Sequence, residues 1–340
     1  MAGSMERFDR TCHQRVTLCD HLVDSGGWNV LTLKPGFRKV TVAASIGAVA
    51  VLAAACSSSS SSPTTTGAPS TTSTSVALPT STIPTQATNA AIAATVPAAI
   101  KSKGTLTVAL DATYAPDEFI ATNGSTIVGM DADLATAITQ VLGLKVKLVN
   151  ATFDTIIPGI QSGKYDMGAS SFTDTIARQK VVDFVDYFSA GEGFYVKTGS
   201  SANFNGLSSL CNHSVAVESG TTEESDAKAQ AKKCKVTVLS FGNQSEANLA
   251  VSSGRADVGF ADSQVAGYIV ASSNGVFANS GTAFEVAPYG LALPKGNGMT
   301  TPVQSAINYL IGNGVYTQIL TKWGVQSGAV TSSVINGATS

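Results

Sequence analysis

From Lys101 to Trp323 apolar residues recur with two different periods. Thr105-Leu-Thr-Val-Ala-Leu-Asp111 alternates as a strand does and ends on an acid. Ala132–Leu142 sets Leu134, Ile138, Val141 and Leu142 on one helical face, and Gly143 follows as a helix stop. Lys145-Val-Lys-Leu-Val149 is a second strand. Asp154 caps a short helix that carries Pro158 early and ends at Gly163. A strand-like run at Tyr165–Gly168 follows, then a helix-like run at Ile176–Val182. Strand, helix, strand, helix, strand is the order of a parallel sheet covered by helices.

The order then repeats. Ser214–Glu218 reads as a strand, and Ser219-Gly-Thr-Thr turns into a helix reaching about Lys233, with Thr221 or Thr222 as its cap and acids in its first turn. Val236–Leu239 is a strand, Glu246–Val251 a helix, and Val258–Asp262 a strand ending on an acid. Ser162-Gly-Lys-Tyr-Asp-Met-Gly168 returns as Ser253-Gly-Arg-Ala-Asp-Val-Gly259, 91 residues later. That interval is too long for a solenoid repeat and suits two similar lobes. Phe194–Lys197 and Tyr289–Pro294 are strand-like pieces where the chain crosses between lobes. Val303–Trp323 is helical with a break at Gly312–Gly314, and it returns to the first lobe. The expected fold is α/β: two similar lobes joined by a two-segment hinge around a cleft. The expected boundaries are 101–191 with 289–330 for the first lobe, 192–288 for the second, and 331–340 as a tail. Cys211 and Cys234 each precede a strand of the second lobe, so a disulfide between them is geometrically reasonable.

Chemistry concentrates at Gly168–Arg178. Ser170, Ser171, Thr173 and Thr175 cluster where a strand ends and a helix begins, and free N–H groups point outward at such a place. Arg178 stands about one turn further on. A fixed cation beside such donors suits a small carboxylate. The same residues also read as an ordinary helix cap followed by a solvated arginine.

The N-terminal region changes the picture of where the chain works. Val40–Ala55 is a run of small and apolar residues preceded by Lys34, Arg38 and Lys39, too short for a membrane span and suited to a signal-peptide core. It ends Leu52-Ala-Ala-Ala-Cys56, which resembles a bacterial lipobox with Cys56 as the lipidated first residue. Residues 1–29 are unusually polar for such a leader, so translation is expected to start near Val30 or Leu31. Residues 56–100 are rich in Ser, Thr, Pro and Ala and read as a disordered tether. An extracytoplasmic site makes the disulfide chemically reasonable. Without residues 1–55 the chain carries 15 basic and 19 acidic residues, one histidine (His213) and three cysteines. No basic excess suits nucleic acid. A serine triad would have to use His213, and no His/Cys metal cluster can be assembled. No cofactor or metal is expected.

Nine stretches, in order over about 220 residues, resemble the bacterial extracellular solute-binding proteins of family 3, the polar amino acid receptors of ABC importers. They are Asp111-Ala-Thr-Tyr-Ala-Pro, Gly129-Met-Asp-Ala-Asp-Leu-Ala, Phe153-Asp-Thr-Ile-Ile-Pro-Gly-Ile-Gln-Ser-Gly-Lys-Tyr-Asp, Ser171-Phe-Thr-Asp-Thr, Val182-Asp-Phe, Tyr187-Phe-Ser-Ala-Gly, Ser219-Gly-Thr-Thr, Ser253-Gly-Arg-Ala-Asp and Pro288-Tyr-Gly-Leu-Ala-Leu-Pro-Lys-Gly. The resemblance implies a periodic two-lobed receptor of the type II periplasmic-binding class, monomeric, delivering an amino acid to an ABC permease. It implies that Arg178 holds the ligand's α-carboxylate with Ser171 and Thr222 donating. It puts the α-ammonium on Asp262, with Ser170 and Thr173 helping. Tyr114 and Phe153 would flank the side chain, and Asp111 would line the cleft. Asp117 stands where the family often has Phe, which puts the usual aromatic wall in doubt and makes the pocket more hospitable to a cation. No second Arg or Lys lies near the motifs, which favours a neutral polar or basic amino acid over an acidic one. The competing readings are an enzyme on the same fold, a dehydratase or glycan-cleaving relative using acids such as Glu118, and a sensor lipoprotein without a transport role.

Overall fold

The computed structural model describes residues 78–338. The leader, the signal peptide, Cys56 and the first part of the expected tether lie outside the described residues. The part of the tether region that is described differs from the expectation. Residues 90–95 and 98–103 form helices α1 (Ala90–Thr95) and α2 (Ala98–Lys103). The Asn89 side chain caps α1 by accepting from the Ile92 amide. Ile83, Ile92, Val96 and Ile100 pack on the main hydrophobic core. A low average hydropathy concealed these few apolar residues, whose spacing is enough to seat the segment on a surface already present.

The first unit then runs β1 (Thr105–Leu110), a small antiparallel sheet of β2 (Thr113–Tyr114), β3 (Glu118–Ile120) and β4 (Ile127–Val128), α3 (Met130–Val141), β5 (Lys145–Asn150), α4 (Phe153–Gln161) and β6 (Met167–Gly168). A short α5 (Ile176–Gln179) follows, and Val182 already belongs to the next strand, so the helix-like run is shorter than its pattern implied. The second unit is β8 (Ser214–Glu218), α6 (Thr222–Ala231), β9 (Thr237–Phe241), α7 (Gln244–Ser252), β10 (Val258–Asp262) and α8 (Ser263–Ser272). Between and after these run two long strands, β7 (Val182–Lys197) and β11 (Phe277–Pro294). The chain closes with α9 (Thr300–Gly312) and α10 (Val315–Trp323), broken at the expected glycines.

All the long strands join one eight-stranded sheet, ordered β5-β1-β6-β11-β7-β10-β8-β9. Its two ends are the same motif. β1 is parallel to β5 and β6, and β8 is parallel to β9 and β10. The sequence echo has a physical cause in this motif. Gly163 and Gly254 adopt positive φ where the preceding helices end. Asp166 then accepts from the amide of Thr107 in β1, and Asp257 accepts from the amide of Ser214 in β8. Each acid pins the strand that follows its helix to the first strand of its unit.

β7 and β11 pair antiparallel from Lys197 and Phe277 at one end to Val182 and Pro294 at the other. They pair with β6 on one side and with β10 on the other, so they are the two crossings. The apolar pieces found in the sequence are only parts of them. The centre of β7, Ser189-Ala-Gly-Glu-Gly193, is composed like a turn, yet it stays extended. At Gly191 a Cβ would stand 2.8 Å from the Phe284 carbonyl oxygen, so a close approach of the partner strand requires glycine there. The α9 and α10 helices bury Val303, Ile307, Leu310, Ile319 and Leu320 with Leu106, Val108 and Ile138 in the first lobe. Residues after α10 return along β7: Ala329 bridges to Phe188 and Ile335 to Val185.

Three acids of the first lobe are wholly buried, Asp117, Glu118 and Asp131. Hydroxyls and amides serve them. Ser170 Oγ donates to Glu118, Ser171 Oγ and Gln264 Nε2 to Asp117, and the Ser171 amide and Tyr187 hydroxyl to Asp131. Among the described residues no basic side chain makes an ion pair with them. Burial pushes Asp131 up to about 6, and burial with the neighbouring carboxylates pushes Asp117 and Glu118 well above the usual range.

These acids hold protons in the folded chain that the unfolded chain has released above about pH 4. Their contribution to stability is therefore complete below that pH and is lost as pH rises through the folded values. Thermal melts between pH 5 and pH 8 should show a falling melting temperature, and Glu118→Gln should flatten the fall; equal slopes in the two proteins would contradict this. Cys211 and Cys234 are joined in a disulfide, three residues before β8 and β9. The bridge closes a loop with a sequence separation of 23, worth about 3 kcal/mol of chain entropy. Replacing both cysteines by serine should lower the denaturant-extrapolated stability by about that amount, and an unchanged midpoint would argue against it.

Candidate functional site

The carboxyl ends of the parallel strands in both units face one another across the crossings. That is where open α/β sheets bind ligands. Asp111 directly follows β1, Phe153 opens α4, and Ser170, Ser171 and Thr173 link β6 to α5. Arg178 lies in α5, Thr222 opens α6, and Asp262 ends β10. All of them, together with Tyr114 of β2, line one cavity. The structure thus brings together every ligand-binding residue picked out in the sequence.

The two halves already touch across this cavity. The Tyr114 hydroxyl donates to Asp262 Oδ2 at 2.7 Å and accepts from the Asp262 amide at 3.0 Å. Thr173 Oγ1 and Thr222 Oγ1 are 3.3 Å apart. Arg178 reaches from one unit to the other, its Nη1 donating to the Thr173 carbonyl and its Nη2 to the Gly220 carbonyl, at 2.8 and 2.9 Å. Thr175 caps α5 by accepting from the Arg178 amide, which fixes the start of the arginine's turn. The guanidinium lies near the rings of Phe153 and Phe172, which stack on each other. Two of its five N–H groups are spent on carbonyls; the others remain for an anion in the cavity.

Acids dominate the rest of the lining. Desolvation by burial pushes Asp262 up to about 6, opposed by the hydroxyls of Tyr289 and Tyr114 and by Arg178. Asp111 takes the Thr113 hydroxyl and the Phe153 amide on its two oxygens, and burial still raises it. Glu218 and Glu223 also line the cavity, both raised well above the usual range, chiefly by burial. Each has an Oε1 that is buried with no hydrogen-bond partner among the described residues. These two were not picked out in the sequence. Glu218 ends β8 and Asp111 directly follows β1, so the repeat held the signal. Glu223 sits in the first turn of α6, where an acid is ordinarily explained by the helix dipole.

Some side chains take roles other than those expected. Ser171 lines the cavity, but its φ of +47° turns its hydroxyl to Asp117 and its amide to Asp131. Ser170 Oγ accepts from the Asp111 amide and donates to Glu118. Both serines therefore tie the cavity wall to the buried acids. Asp117 does not line the cavity. It is buried behind Ser171 and accepts from Gln264 of α8, so it fastens the two units together instead of selecting a ligand. The cap of α6 is Thr221, which accepts from the Glu224 amide; the Thr222 hydroxyl lies at the cavity instead, donating to Glu223 and close to Thr173.

Known proteins share this arrangement. The arginine-binding protein ArgT of Corynebacterium glutamicum is 32% identical over 252 residues, covering 72% of this chain and 82% of its own length. The ABC transporter glutamine-binding protein GlnH of Bacillus subtilis is 32% identical over 202 residues, 58% of this chain and 72% of that protein. Among solved structures, an ancestral arginine-binding protein bound to arginine matches with a TM-score of 0.62 and 39% identity, covering 65% of this chain and 98% of the other. The structural likeness is to type II amino-acid-binding proteins, with two α/β lobes. These relatives bind amino acids and are not enzymes, and among the described residues no helix is long and apolar enough to cross a membrane. Residues 106–326 match the bacterial extracellular solute-binding proteins, family 3, and the chain belongs to that family as a solute-binding protein.

Proposed function

We propose that this protein captures a basic amino acid, arginine before others, outside the cytoplasm and delivers it to an ABC permease. The observation that carries this reading is the charge balance of the cavity. Arg178 is matched by an α-carboxylate, and Asp262 by an α-ammonium. Asp111 and Glu218 are then left at the cavity wall with no cation among the described residues to answer them. A second positive charge on the ligand supplies it. Tyr114 and Phe153 offer flat faces to an aliphatic stem and a planar guanidinium. The arginine-binding relatives agree with this choice. Glutamine, the ligand named for another relative, is the second candidate, but its neutral side chain leaves both acids without a counter-charge.

The ligand would contact both lobes at once only when they are together. It therefore stabilises the closed state by its extra contacts, and the crossings β7 and β11 carry the motion. Cys56, lipidated, would anchor a monomeric receptor to the outer face of the membrane, and the residues after it would span the gap to the permease.

Arg178→Ala and Asp262→Ala should each weaken arginine binding by about 2–5 kcal/mol while circular dichroism stays unchanged; affinity within twofold of the parent would sink the site assignment. Asp111→Asn combined with Glu218→Gln should cut the preference for arginine over glutamine at least tenfold. An unaltered preference would remove the basic-ligand reading while leaving the amino acid receptor intact. Asp262 must be ionised to hold an ammonium, and it is pushed up to about 6. Arginine affinity measured by calorimetry should therefore be level above pH 7 and fall as pH drops through 6.

A further inference from the structure

A second cavity adjoins the first and shares Thr173, Thr222 and Asp262 with it. Glu192 of β7, Asp226 of α6 and Glu285 of β11 also line it. One carboxylate oxygen from each comes within 4.8 Å of the other two. Glu192 is 5% exposed, and its Oε2 is buried with no hydrogen-bond partner among the described residues. No basic side chain makes an ion pair with any of the three among those residues. Carboxylates this close repel one another unless a proton or a cation stands between them.

We propose that Glu192, Asp226 and Glu285 form a binding site for a divalent cation of calcium's size. Calcium takes six to eight oxygens at about 2.3–2.6 Å, so two ligand oxygens on opposite sides of the ion stand about 4.6–5.2 Å apart. The three oxygens, all within 4.8 Å of one another, fit within that span. Magnesium, at about 2.0–2.1 Å, needs a tighter cage and gives up its waters reluctantly. Zinc prefers nitrogen and sulfur, and the cluster has neither. Water and backbone carbonyls complete the shell. An all-oxygen site leaves no His or Cys motif, which is why the sequence does not announce it.

The position gives the ion a consequence. β7 and β11 are the two crossings, and their register breaks between Phe284 and Ala287, beside Glu285. Asp226 belongs to the helix whose first residue, Thr222, lines the ligand cavity. A bound cation therefore ties both crossings to that helix and stiffens the second lobe at the hinge. This site is separate from the groups proposed to hold the amino acid, so it stands or falls independently of the ligand's identity.

The test is calcium titration of the purified, chelator-stripped protein by calorimetry, with thermal melts in parallel. Saturable one-site binding is expected with a dissociation constant of about 0.1–1 mM, as in extracellular calcium modules. The melting temperature should rise with calcium, and less with magnesium at equal concentration. Glu192→Gln and Asp226→Asn should each abolish the calcium response while retaining the parent's circular dichroism. Absence of saturable binding and of any shift at 10 mM calcium would overturn the proposal, leaving protons alone between the carboxylates. An equal calcium response in both variants would overturn it too, because the ion would then sit elsewhere.

Discussion

A charge withdrawn from water must be answered by another charge or by well-placed dipoles, and the cleft is organised by that constraint. Arg178 stands half-buried beside two stacked aromatic rings, with carbonyls from both lobes on its guanidinium. Asp262 faces it from the other lobe, held by Tyr114. The contact between lobes at the cavity is therefore polar, and beside it Tyr114 packs in the second lobe's apolar cluster and Phe119 lies against Tyr268. Each lobe keeps its own hydrophobic cluster, so the polar seam can open without unfolding either. On the proposed function, that separation of tasks would let a ligand's few hydrogen bonds decide between open and closed.

The acids around the seam fall into two groups with different consequences. Asp117, Glu118 and Asp131 are locked to serines, a tyrosine and a glutamine inside the fold, and they hold the loop after β6 in place. Asp111, Glu218 and Glu223 face the cavity with their charge incompletely answered. The first group is structural, and burial raises its carboxylates above the usual range. Burial raises the second group as well, and on the proposed function a cationic ligand beside it would favour its ionised form.

Much of this was legible in the sequence because strand ends and helix starts leave local marks. Asp111, Asp262 and the hydroxyls before Arg178 stand at such ends, and the cavity gathers them. Glu218 stood at an equivalent end and was passed over, since an acid closing a strand looks like a surface residue until the opposing lobe is in place. Asp117 was misjudged because its direction is set by the β2–β3–β4 sheet, whose strands of two and three residues are too short to show a period. The centre of β7 was hidden for a different reason. Its glycines serve a close approach of β11, while a local reading takes them for a turn. The serines show a further limit: their presence at the cavity could be read, but their hydrogen bonds depend on buried acids distant in sequence.

On the proposed function, the surplus of cavity acids selects a ligand with a second positive charge. Calorimetric titration of the purified protein with each of the twenty amino acids at pH 7.5 tests it most directly. Tightest binding is expected for L-arginine, weaker binding for L-lysine and L-glutamine, and none for L-glutamate. Tighter binding of a neutral or acidic amino acid than of arginine would contradict it.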